Sequence, residues 1–471
     1  MAVKPPPQLL HPTSSNRQYK PHQVDGIQWM IRRESSPQPG GLLCDDMGLG
    51  KTEQVLGLIV NTSALATLLL CPKALIPQWR KEFQRCGFAV HVIIKGKWVQ
   101  VSTASKIRLV YLTNYDSLIG KPHLFQRSYD RLCLDEAHQG LCKRGKLYER
   151  VASIKRKATW VITATPVVNS RKDTQNLLSL VGYTSKELDA LPLEHFVPEA
   201  VLHRSMNELR HSLPNLPAAA KQTTISLNFA SEEECEFYQG VQGKLVKRWK
   251  SLDKDATPLK LQLLMKLRQL SIHPQVYIGA RKREPFGYPR ECWTGTSTKF
   301  AAMEKLLADE VEPRRWIIFC QFKDEMNLIE NELMDKYTVL QYHGALSEEQ
   351  KATVLRDSEG DLGGKHMVFL INIKSGGVGL NLQHFTHIIF MSPWWTSALM
   401  RQSIGRAVRI GQTEEVQVYH LVLKEEETLN IDALMREKVA DKEEMLVDLL
   451  AVASRGNLST DIEENVRTNA A

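Results

Sequence analysis

A short glycine-rich segment places the strongest constraint on how this chain can fold. Residues 42–53 read LLCDDMGLGKTE, in which an apolar pair precedes a glycine turn and a helix-compatible stretch follows. Glycines let successive backbone N–H groups face a phosphate, and the N-terminus of the next helix adds positive partial charge. The segment therefore predicts a strand, a phosphate-binding loop and a helix, in that order along the chain.

ATP and Mg²⁺ are the cofactors that this loop predicts. Lys51 supplies a point charge for the β- and γ-phosphates, and Thr52 supplies a hydroxyl for Mg²⁺. Asp45 departs from the general pattern, because it stands where the first glycine is usual. The residues expected to contact the nucleotide are Asp46, Met47, Gly48, Leu49, Gly50, Lys51 and Thr52.

Length and composition indicate a multidomain globular protein. The 471 residues leave room for two to four domains, and the hydrophobic content of 43% and charged content of 24% are ordinary. The net charge of +8 permits nucleic-acid binding without demonstrating it. No apolar run reaches the length of a membrane span, and the N-terminus lacks the apolar region of a secretion signal. Eight scattered cysteines with no CxxC pair argue against a zinc module and favour a reducing compartment.

Short apolar runs alternate with helix-like stretches in both halves of the chain. Such runs are typical of strands buried on both faces of a parallel sheet, whose ligands bind at the carboxyl ends of the strands. Between the two halves, residues 196–280 are mostly helical in pattern, and Leu259–Leu270 predicts an amphipathic packing helix. The predicted strands are Leu42–Leu43, Leu68–Cys71, Val90–Ile94, Leu109–Leu112, Arg131–Leu134, Trp160–Ile162, Trp316–Cys320, Thr338–Gln341, Met367–Ile371, His387–Met391 and Val416–Leu423.

Two carboxylates follow one of these strands. Residues 131–138 read RLCLDEAH, so Asp135 and Glu136 lie at the end of an apolar run. Asp135 can hold the metal, directly or through water, and Glu136 can orient or deprotonate the attacking water. Together with Lys51 these residues predict ATP hydrolysis.

A basic segment near the C-terminal end supplies a third part of the predicted site. In RQSIGRAVRIGQ (residues 401–412), Arg406 and Arg409 face the same side if the segment is helical. Two guanidiniums suit the charge of a γ-phosphate in its transition state. Because they lie far from Lys51 in sequence, we expect them to come from the second α/β half, with ATP bound between two lobes that close on it and open after hydrolysis.

The ordered series of motifs resembles the Snf2 group of superfamily 2 helicase-like ATPases from about residue 19 to 445. The resemblance implies that Gln23 contacts adenine and that Gly377 and Gln402 contribute to the nucleotide site. It also extends to one branch of this family whose members often carry a RING insertion, which is missing here, and to compact viral proteins of the global-transactivator type. The segments that resemble the family's motifs are 19–30, 70–82, 113–116, 163–169, 267–274, 317–322, 375–382 and 401–412.

Departures from the family pattern concern coupling more than nucleotide binding. Ala164 replaces a usual Gly, Ser392 replaces a common Asp, and His203-Arg204 replaces an Arg-Arg pair near the lobe junction.

The resemblance implies an α/β fold of two tandem RecA-like lobes, each a parallel sheet flanked by helices, with Snf2-type helical protrusions between them and a C-terminal brace helix. The expected segments are a lead at 1–18, lobe 1 at 19–195, protrusions and linker at 196–290, lobe 2 at 291–424, a brace helix at 425–453 and a disordered tail at 454–471.

Double-stranded DNA is the partner that the resemblance implies, held without sequence specificity. Loops after strands can hold phosphates through side chains and backbone N–H groups, and such contacts position a protein without reading bases. Of the neighbouring Trp394 and Trp395, we expect at least one to pack in the core. The candidate DNA contacts are Lys73, Asn114, Tyr115, Gln321, Lys374, Ser375 and Trp395.

These observations predict an ATP-driven translocase on duplex DNA that remodels DNA–protein complexes in chromatin, transcription or repair. The family implies a monomeric motor in the nucleus with unknown targeting partners. Two alternatives stay open. The Asp135–His138 string also suggests a strand-separating DNA or RNA helicase, and a non-catalytic DNA-binding scaffold would need neither Lys51 nor ATP turnover.

Overall fold

The computed structural model describes residues 9–11, 18–102, 108–166, 170–210, 213, 217–253, 256–295, 297–373, 380–409, 411–424, 430–437 and 440. The described chain divides into two compact units, the second of which begins at Pro217. Within the described residues, each unit contains one sheet.

The sheet of the first unit has eight strands among the described residues, in the order β4-β3-β5-β2-β6-β7-β1-β8. Its neighbours run parallel except for the β3–β4 pair, which is antiparallel at the sheet edge. The strands are β1 Gly40–Leu43, β2 Ala66–Cys71, β3 Ala89–Ile94, β4 Lys97–Gln100, β5 Leu109–Asn114, β6 Tyr129–Asp135, β7 Arg156–Ile162 and β8 Val201–Leu202.

Helices cover this sheet because its central strands are apolar on both faces. β1 and β2 are buried almost throughout, as the continuous apolar runs predict. The helices are Pro21–Glu34, Lys51–Asn61, Ile76–Arg85, Tyr115–Gly120, Lys146–Ala152, Arg171–Val181, Ser185–Ala190, Val197–Ala200 and Met206–Leu209. The parallel order brings the carboxyl ends of β1, β2, β5, β6 and β7 to one edge of the sheet, where the candidate residues of this unit lie.

The second unit has a six-stranded, all-parallel sheet among its described residues, in the order β11-β12-β10-β13-β14-β9. The strands are β9 Lys221–Leu227, β10 Arg315–Cys320, β11 Thr338–Tyr342, β12 Met367–Asn372, β13 His387–Phe390 and β14 Gln417–Leu423. The helices are Glu232–Lys250, Thr257–Ile272, Pro274–Lys282, Thr298–Asp309, Lys323–Leu333, Glu348–Ser358 and Ser397–Ile404. The α/β class with parallel sheets is therefore confirmed.

The helix Thr257–Ile272 confirms the predicted helix at Leu259–Leu270, but its apolar residues occupy more than one face. Leu263, Leu267 and Leu270 are buried, whereas other apolar side chains of this helix, Leu259, Leu261 and Met265, are exposed. Within the predicted brace segment, residues 431–437 are helical. No described helix combines the length and apolarity that a bilayer crossing requires.

All eleven predicted strands are present, and the described residues contain three further strands that were not predicted. β4 is a short edge strand and β8 has only two residues. β9 lies in the stretch that was predicted to be mostly helical, yet it pairs with β14 over its full length. Its sequence, KQTTISL, is polar and largely exposed, so it lacks the apolar run on which the prediction relied.

Candidate nucleotide site

Two left-handed glycines shape the loop between β1 and the helix Lys51–Asn61. Gly48 has φ of 85° and Gly50 has φ of 82°. Residues with a Cβ rarely adopt this left-handed backbone conformation. Gly50 also caps the helix, so Lys51 and Thr52 begin its first turn. This is the strand–loop–helix arrangement that the sequence predicts, and it aims a helix N-terminus at the loop.

Gln23 and His22 pack against this loop from the helix Pro21–Glu34. The Gln23 amide donates to the Leu49 carbonyl at 3.3 Å, and its Oε1 accepts from the Lys20 N–H at 3.0 Å. His22 Nε2 lies 2.8 Å from the same Leu49 carbonyl. Gln23, the predicted adenine contact, thus lies beside the loop with both ends of its amide hydrogen-bonded within the protein.

Asp45 is fully buried and forms an ion pair with Arg204, which follows β8. Arg204 Nε donates to Asp45 Oδ1 at 2.9 Å, and Gln54 donates to Asp45 Oδ2 at 2.8 Å. Burial alone would raise the pKa of Asp45, but the Arg204 guanidinium and these hydrogen bonds hold it below its usual value. The residue at the first-glycine position is therefore a charged anchor of the loop.

Backbone hydrogen bonds reinforce that anchor. The Asp46 N–H donates to the Arg204 carbonyl at 3.0 Å, and the Met206 N–H donates to the Asp46 carboxylate at 2.9 Å. The Lys51 ammonium donates to the carbonyls of Asp45 at 2.6 Å and Asp46 at 3.2 Å. The loop, its lysine and the segment after β8 form one hydrogen-bonded assembly.

Asp135 ends β6 with both carboxylate oxygens hydrogen-bonded. Trp79 Nε1 donates to Oδ2 at 2.6 Å, and the Glu136 N–H donates to Oδ1 at 3.0 Å. Burial, and then the negative charge of Glu136, raise the pKa of Asp135 to about 7, while Trp79 and the Lys51 ammonium oppose the rise. The charges of Lys51 and Glu136 both act on Asp135, which is why we treat the three residues as one electrostatic site.

Glu136 has a left-handed backbone, with φ of 51°, which is unusual for a residue with a side chain. Its carboxylate Oε2 lies 3.4 Å from His138 Nδ1, and the same nitrogen lies 2.9 Å from Thr163 Oγ1. Burial lowers the pKa of His138. His138 therefore connects Glu136 to Thr163, the first residue of segment 163–169, which resembles one of the family's motifs.

The candidate DNA contacts of this unit have three different surroundings. Lys73 is exposed just after β2. Asn114 caps the helix Tyr115–Gly120 by accepting from the Ser117 N–H at 2.9 Å. Tyr115 donates its hydroxyl to the Asp135 carbonyl at 2.8 Å. Of these three candidates, Lys73 has an exposed side chain that can reach a DNA phosphate, whereas the side chains of Asn114 and Tyr115 form hydrogen bonds within the protein.

In the second unit, Arg406 and Arg409 lie just beyond the helix Ser397–Ile404, which ends at Gly405. The sequence prediction placed both arginines on one face of a helix, but the structure places both beyond the end of that helix. Their charges nevertheless interact. Burial, and then the Arg406 charge, lower the pKa of Arg409 to about 9. Arg409 Nε donates to the Gly405 carbonyl at 2.9 Å, and Gln402 is buried.

The tryptophan pair of this unit surrounds a buried arginine. The Arg268 guanidinium carbon lies 4.6 Å from the Trp394 ring centre and 5.5 Å from that of Trp395. Trp394 is buried in the core, which confirms that prediction, and Trp395 is half-buried. Gln321, half-buried after β10, donates to Met265 Sδ at 3.7 Å. The remaining candidates Lys374, Ser375 and Gly377 lie outside the described residues.

Sequence reasoning missed Trp79 and Arg204 as parts of the site. Both bind a carboxylate that the sequence did single out. The sequence did contain a signal for a residue like Arg204. A charged residue such as Asp45, in a glycine loop after a buried strand, requires a partner of opposite charge.

Two protein families match separate parts of the chain. Residues 22–188 match the SNF2-related domain, and residues 298–411 match the helicase conserved C-terminal domain. Both matches contain the candidate site residues of the respective unit.

Two curated relatives match most of this chain. The SWI/SNF-related matrix-associated actin-dependent regulator of chromatin subfamily A member 1 of Mus musculus is 25% identical over 474 residues, covering 94% of this chain and 44% of that protein. The probable global transactivator of Orgyia pseudotsugata multicapsid polyhedrosis virus is 27% identical over 438 residues, covering 87% of each. The chain therefore spans less than half of the mouse relative and most of the viral one. The Sulfolobus solfataricus SWI2/SNF2 ATPase core in complex with dsDNA is 22% identical, with a TM-score of 0.41 over 96% of this chain and 98% of that chain.

Proposed function

This chain belongs to the Snf2 family of helicase-like ATPases, and we propose that it is an ATP-driven translocase on double-stranded DNA. Each cycle of hydrolysis moves the protein along the duplex and remodels bound protein. The relatives include a named regulator of chromatin, which supports a nuclear role in chromatin, transcription or repair.

One observation carries the enzymatic part of the proposal. The phosphate-binding loop after β1 and the Asp135–Glu136 pair after β6 lie at the same edge of one sheet, and the Lys51 charge acts on Asp135. A surface loop with chance similarity to the loop pattern would not be anchored by an ion pair to a fully buried aspartate, nor lie at the same sheet edge as a buried and a half-buried carboxylate.

The residues present fit Mg²⁺. Thr52 and Asp135 offer oxygen ligands, which this ion prefers. The raised pKa of Asp135 stems from burial and from the adjacent Glu136, a concentration of negative charge that a divalent cation relieves. When bound with ATP, Mg²⁺ neutralises charge on the β- and γ-phosphates.

In the proposed reaction, Lys51 and the loop N–H groups bind the phosphates, and Glu136 orients the attacking water and accepts its proton. To reach the phosphates, Lys51 breaks its hydrogen bonds to the Asp45 and Asp46 carbonyls. The loop stays in place without those bonds because the Asp45 carboxylate remains paired with Arg204. Arg406 and Arg409 stabilise charge on the γ-phosphate. Two adjacent guanidiniums suit that task, since burial and the neighbouring Arg406 charge already make the positive charge of Arg409 costly without an anion.

DNA contact in the first unit is assigned to the edge that carries Lys73, with backbone N–H groups of the neighbouring loops. Such contacts hold phosphates and give affinity that falls with salt. In the second unit the assignment falls on Gln321, Lys374, Ser375 and Trp395.

ATP turnover measured without nucleic acid and with single strands, duplex DNA, nucleosomes or RNA tests this proposal. Duplex DNA is expected to stimulate turnover most, and Lys51→Ala to abolish it. Stimulation by RNA alone would contradict the DNA assignment. The DEAH string, Asp135–His138, favours a strand-separating helicase as second candidate. Efficient unwinding of a tailed duplex would support that candidate instead.

A further inference from the structure

Trp79 holds the side chain of the predicted metal ligand. Its indole N–H lies 2.6 Å from Asp135 Oδ2, and the indole is almost fully buried, at 3% exposure. The other oxygen, Oδ1, accepts from the Glu136 N–H. With one donor on each oxygen, the carboxylate plane of Asp135 is fixed from two sides.

A hydrogen-bond donor behind a metal-binding carboxylate orients it and tunes its affinity. Loss of such a partner typically lowers metal affinity about 10- to 100-fold. The lone pairs that Trp79 and Glu136 leave unused on Asp135 remain for the ion, and the donors keep the carboxylate from turning away from it.

The helix that carries Trp79 also connects the metal ligand to a predicted DNA-contacting segment. This helix, Ile76–Arg85, directly follows the short helix Lys73–Leu75, and Lys73 is exposed. A second connection reaches the same residue, because Tyr115 donates to the Asp135 carbonyl from the helix that Asn114 caps. The segment that carries Lys73 is thus connected to the Asp135 carboxylate through Trp79, and the helix after β5 is bonded to the Asp135 backbone carbonyl.

We propose that Trp79 is a positioning residue that orients Asp135 for Mg²⁺ and transmits the position of the Lys73 segment to the metal site. The inference rests on the Mg²⁺–ATP site of the proposed function. DNA bound at Lys73 shifts the short helix and Trp79 with it, so DNA acts on turnover through the carboxylate that holds the ion.

Trp79→Phe tests this inference, since Phe keeps a ring to stack on Phe83, whose centroid lies 5.3 Å away, and removes only the N–H donor and part of the ring. Trp98→Phe is the matched control. Trp98 lies in the same unit and donates to the Leu124 carbonyl at 3.0 Å, away from Asp135. Both variants are checked by thermal unfolding and assayed below their transitions.

The measurements are the Mg²⁺ dependence of binding of a fluorescent ATP analogue, Mn²⁺ binding followed by electron paramagnetic resonance in the presence of ADP, and ATP turnover with and without duplex DNA. Trp79→Phe is expected to raise the half-saturating metal concentration about 10-fold or more, while analogue binding in EDTA stays unchanged. Stimulation by DNA should fall, with a larger effect on kcat than on KM for ATP. Trp98→Phe should leave all of these at wild-type values.

Wild-type metal dependence in Trp79→Phe would overturn the inference and leave the proposed function intact. An equal shift in both tryptophan variants would also overturn it, because the effect would then be general loosening of the unit. Analogue binding by the wild-type protein that does not depend on metal would instead contradict the proposed function, and this inference with it.

Discussion

The Arg204 guanidinium binds both carboxylate oxygens of Asp45, a residue 159 positions earlier in the chain. The same guanidinium donates to Gln54 Oε1 at 2.9 Å and to the His22 carbonyl. Gln54 lies in the helix that begins at Lys51, and His22 lies in the helix that packs on the loop. One side chain therefore joins the phosphate loop, two helices and the segment after β8.

Asp45→Asn is expected to destabilise the protein strongly, because it removes the fully buried negative charge that pairs with the half-buried Arg204 guanidinium. Breaking a buried ion pair from one side typically costs about 3–5 kcal/mol. The free energy of unfolding, measured with urea, is the readout, and nucleotide affinity should fall with it. Asp189→Asn is the control, since the Asp189–Lys172 pair is exposed on both sides and is expected to change stability by less than about 1 kcal/mol. Equal small losses in the two variants would show that the buried pair does not anchor the loop.

Gly50→Ala is expected to weaken nucleotide binding, because the added methyl displaces the amide of Gln23, the predicted adenine contact, and strains the backbone of the loop. A Cβ at Gly50 would lie 2.3 Å from Gln23 Nε2, which packs against the loop. Gly96→Ala separates the two effects, because Gly96 has a similar φ of 79° and no heavy atom within 4 Å of an added Cβ. Both variants carry the left-handed strain, about 1–2 kcal/mol, but only Gly50→Ala should lose affinity for a fluorescent ATP analogue. Unchanged affinity in Gly50→Ala would contradict the described packing of Gln23.

Glu325 is expected to make the stability of the second unit fall as pH rises. Burial raises the pKa of Glu325 to about 7, although N–H donors from Gln321 and Phe322 and the charges of Lys299 and Arg268 oppose the rise. The folded protein then keeps a proton that the unfolded chain releases near its ordinary pKa of 4.5. The stabilisation is complete below that value and is lost as pH rises through about 7.

Glu325→Gln removes this titration while keeping an oxygen for the two N–H donors. Between about pH 5 and pH 7, the free energy of unfolding of the wild type should fall relative to the variant by up to about 1.4 kcal/mol per pH unit. Urea denaturation at several pH values measures the difference. Glu349→Gln, at an exposed position, should run parallel to the wild type. A constant difference between wild type and Glu325→Gln across this range would show that Glu325 does not titrate there.

The central strands of both sheets could be predicted because burial on both faces leaves a continuous apolar run in the sequence. β2 and β10 are examples. The same reasoning failed for β9, whose polar residues belong to a sheet edge, where pairing with β14 needs backbone groups rather than apolar side chains. Edge strands therefore require knowledge of the partner strand, which single-sequence periodicity does not contain.

In the candidate site, too, some residues could be predicted from the sequence and others could not. Local spacing identified Lys51, Asp135 and Glu136, because the chemistry of each depends on its place after a strand. The partners Arg204 and Trp79 act across long sequence separations, and nothing local in HRSM (residues 203–206) or QWRK (residues 78–81) identifies them as partners of these carboxylates. Tyr115 was predicted from its place after β5 to contact DNA, and that role stays a prediction, while its hydroxyl binds the Asp135 carbonyl.

The most direct test of the account is displacement of a triplex-forming strand from duplex DNA by the wild-type protein and by Arg406→Ala. An ATP-driven translocase is expected to displace the third strand with ATP and Mg²⁺ while leaving the duplex paired. Arg406→Ala should bind the ATP analogue normally and neither hydrolyse ATP nor displace the strand. Displacement at wild-type rates by Arg406→Ala, or DNA-stimulated hydrolysis by the wild type without any displacement, would contradict it.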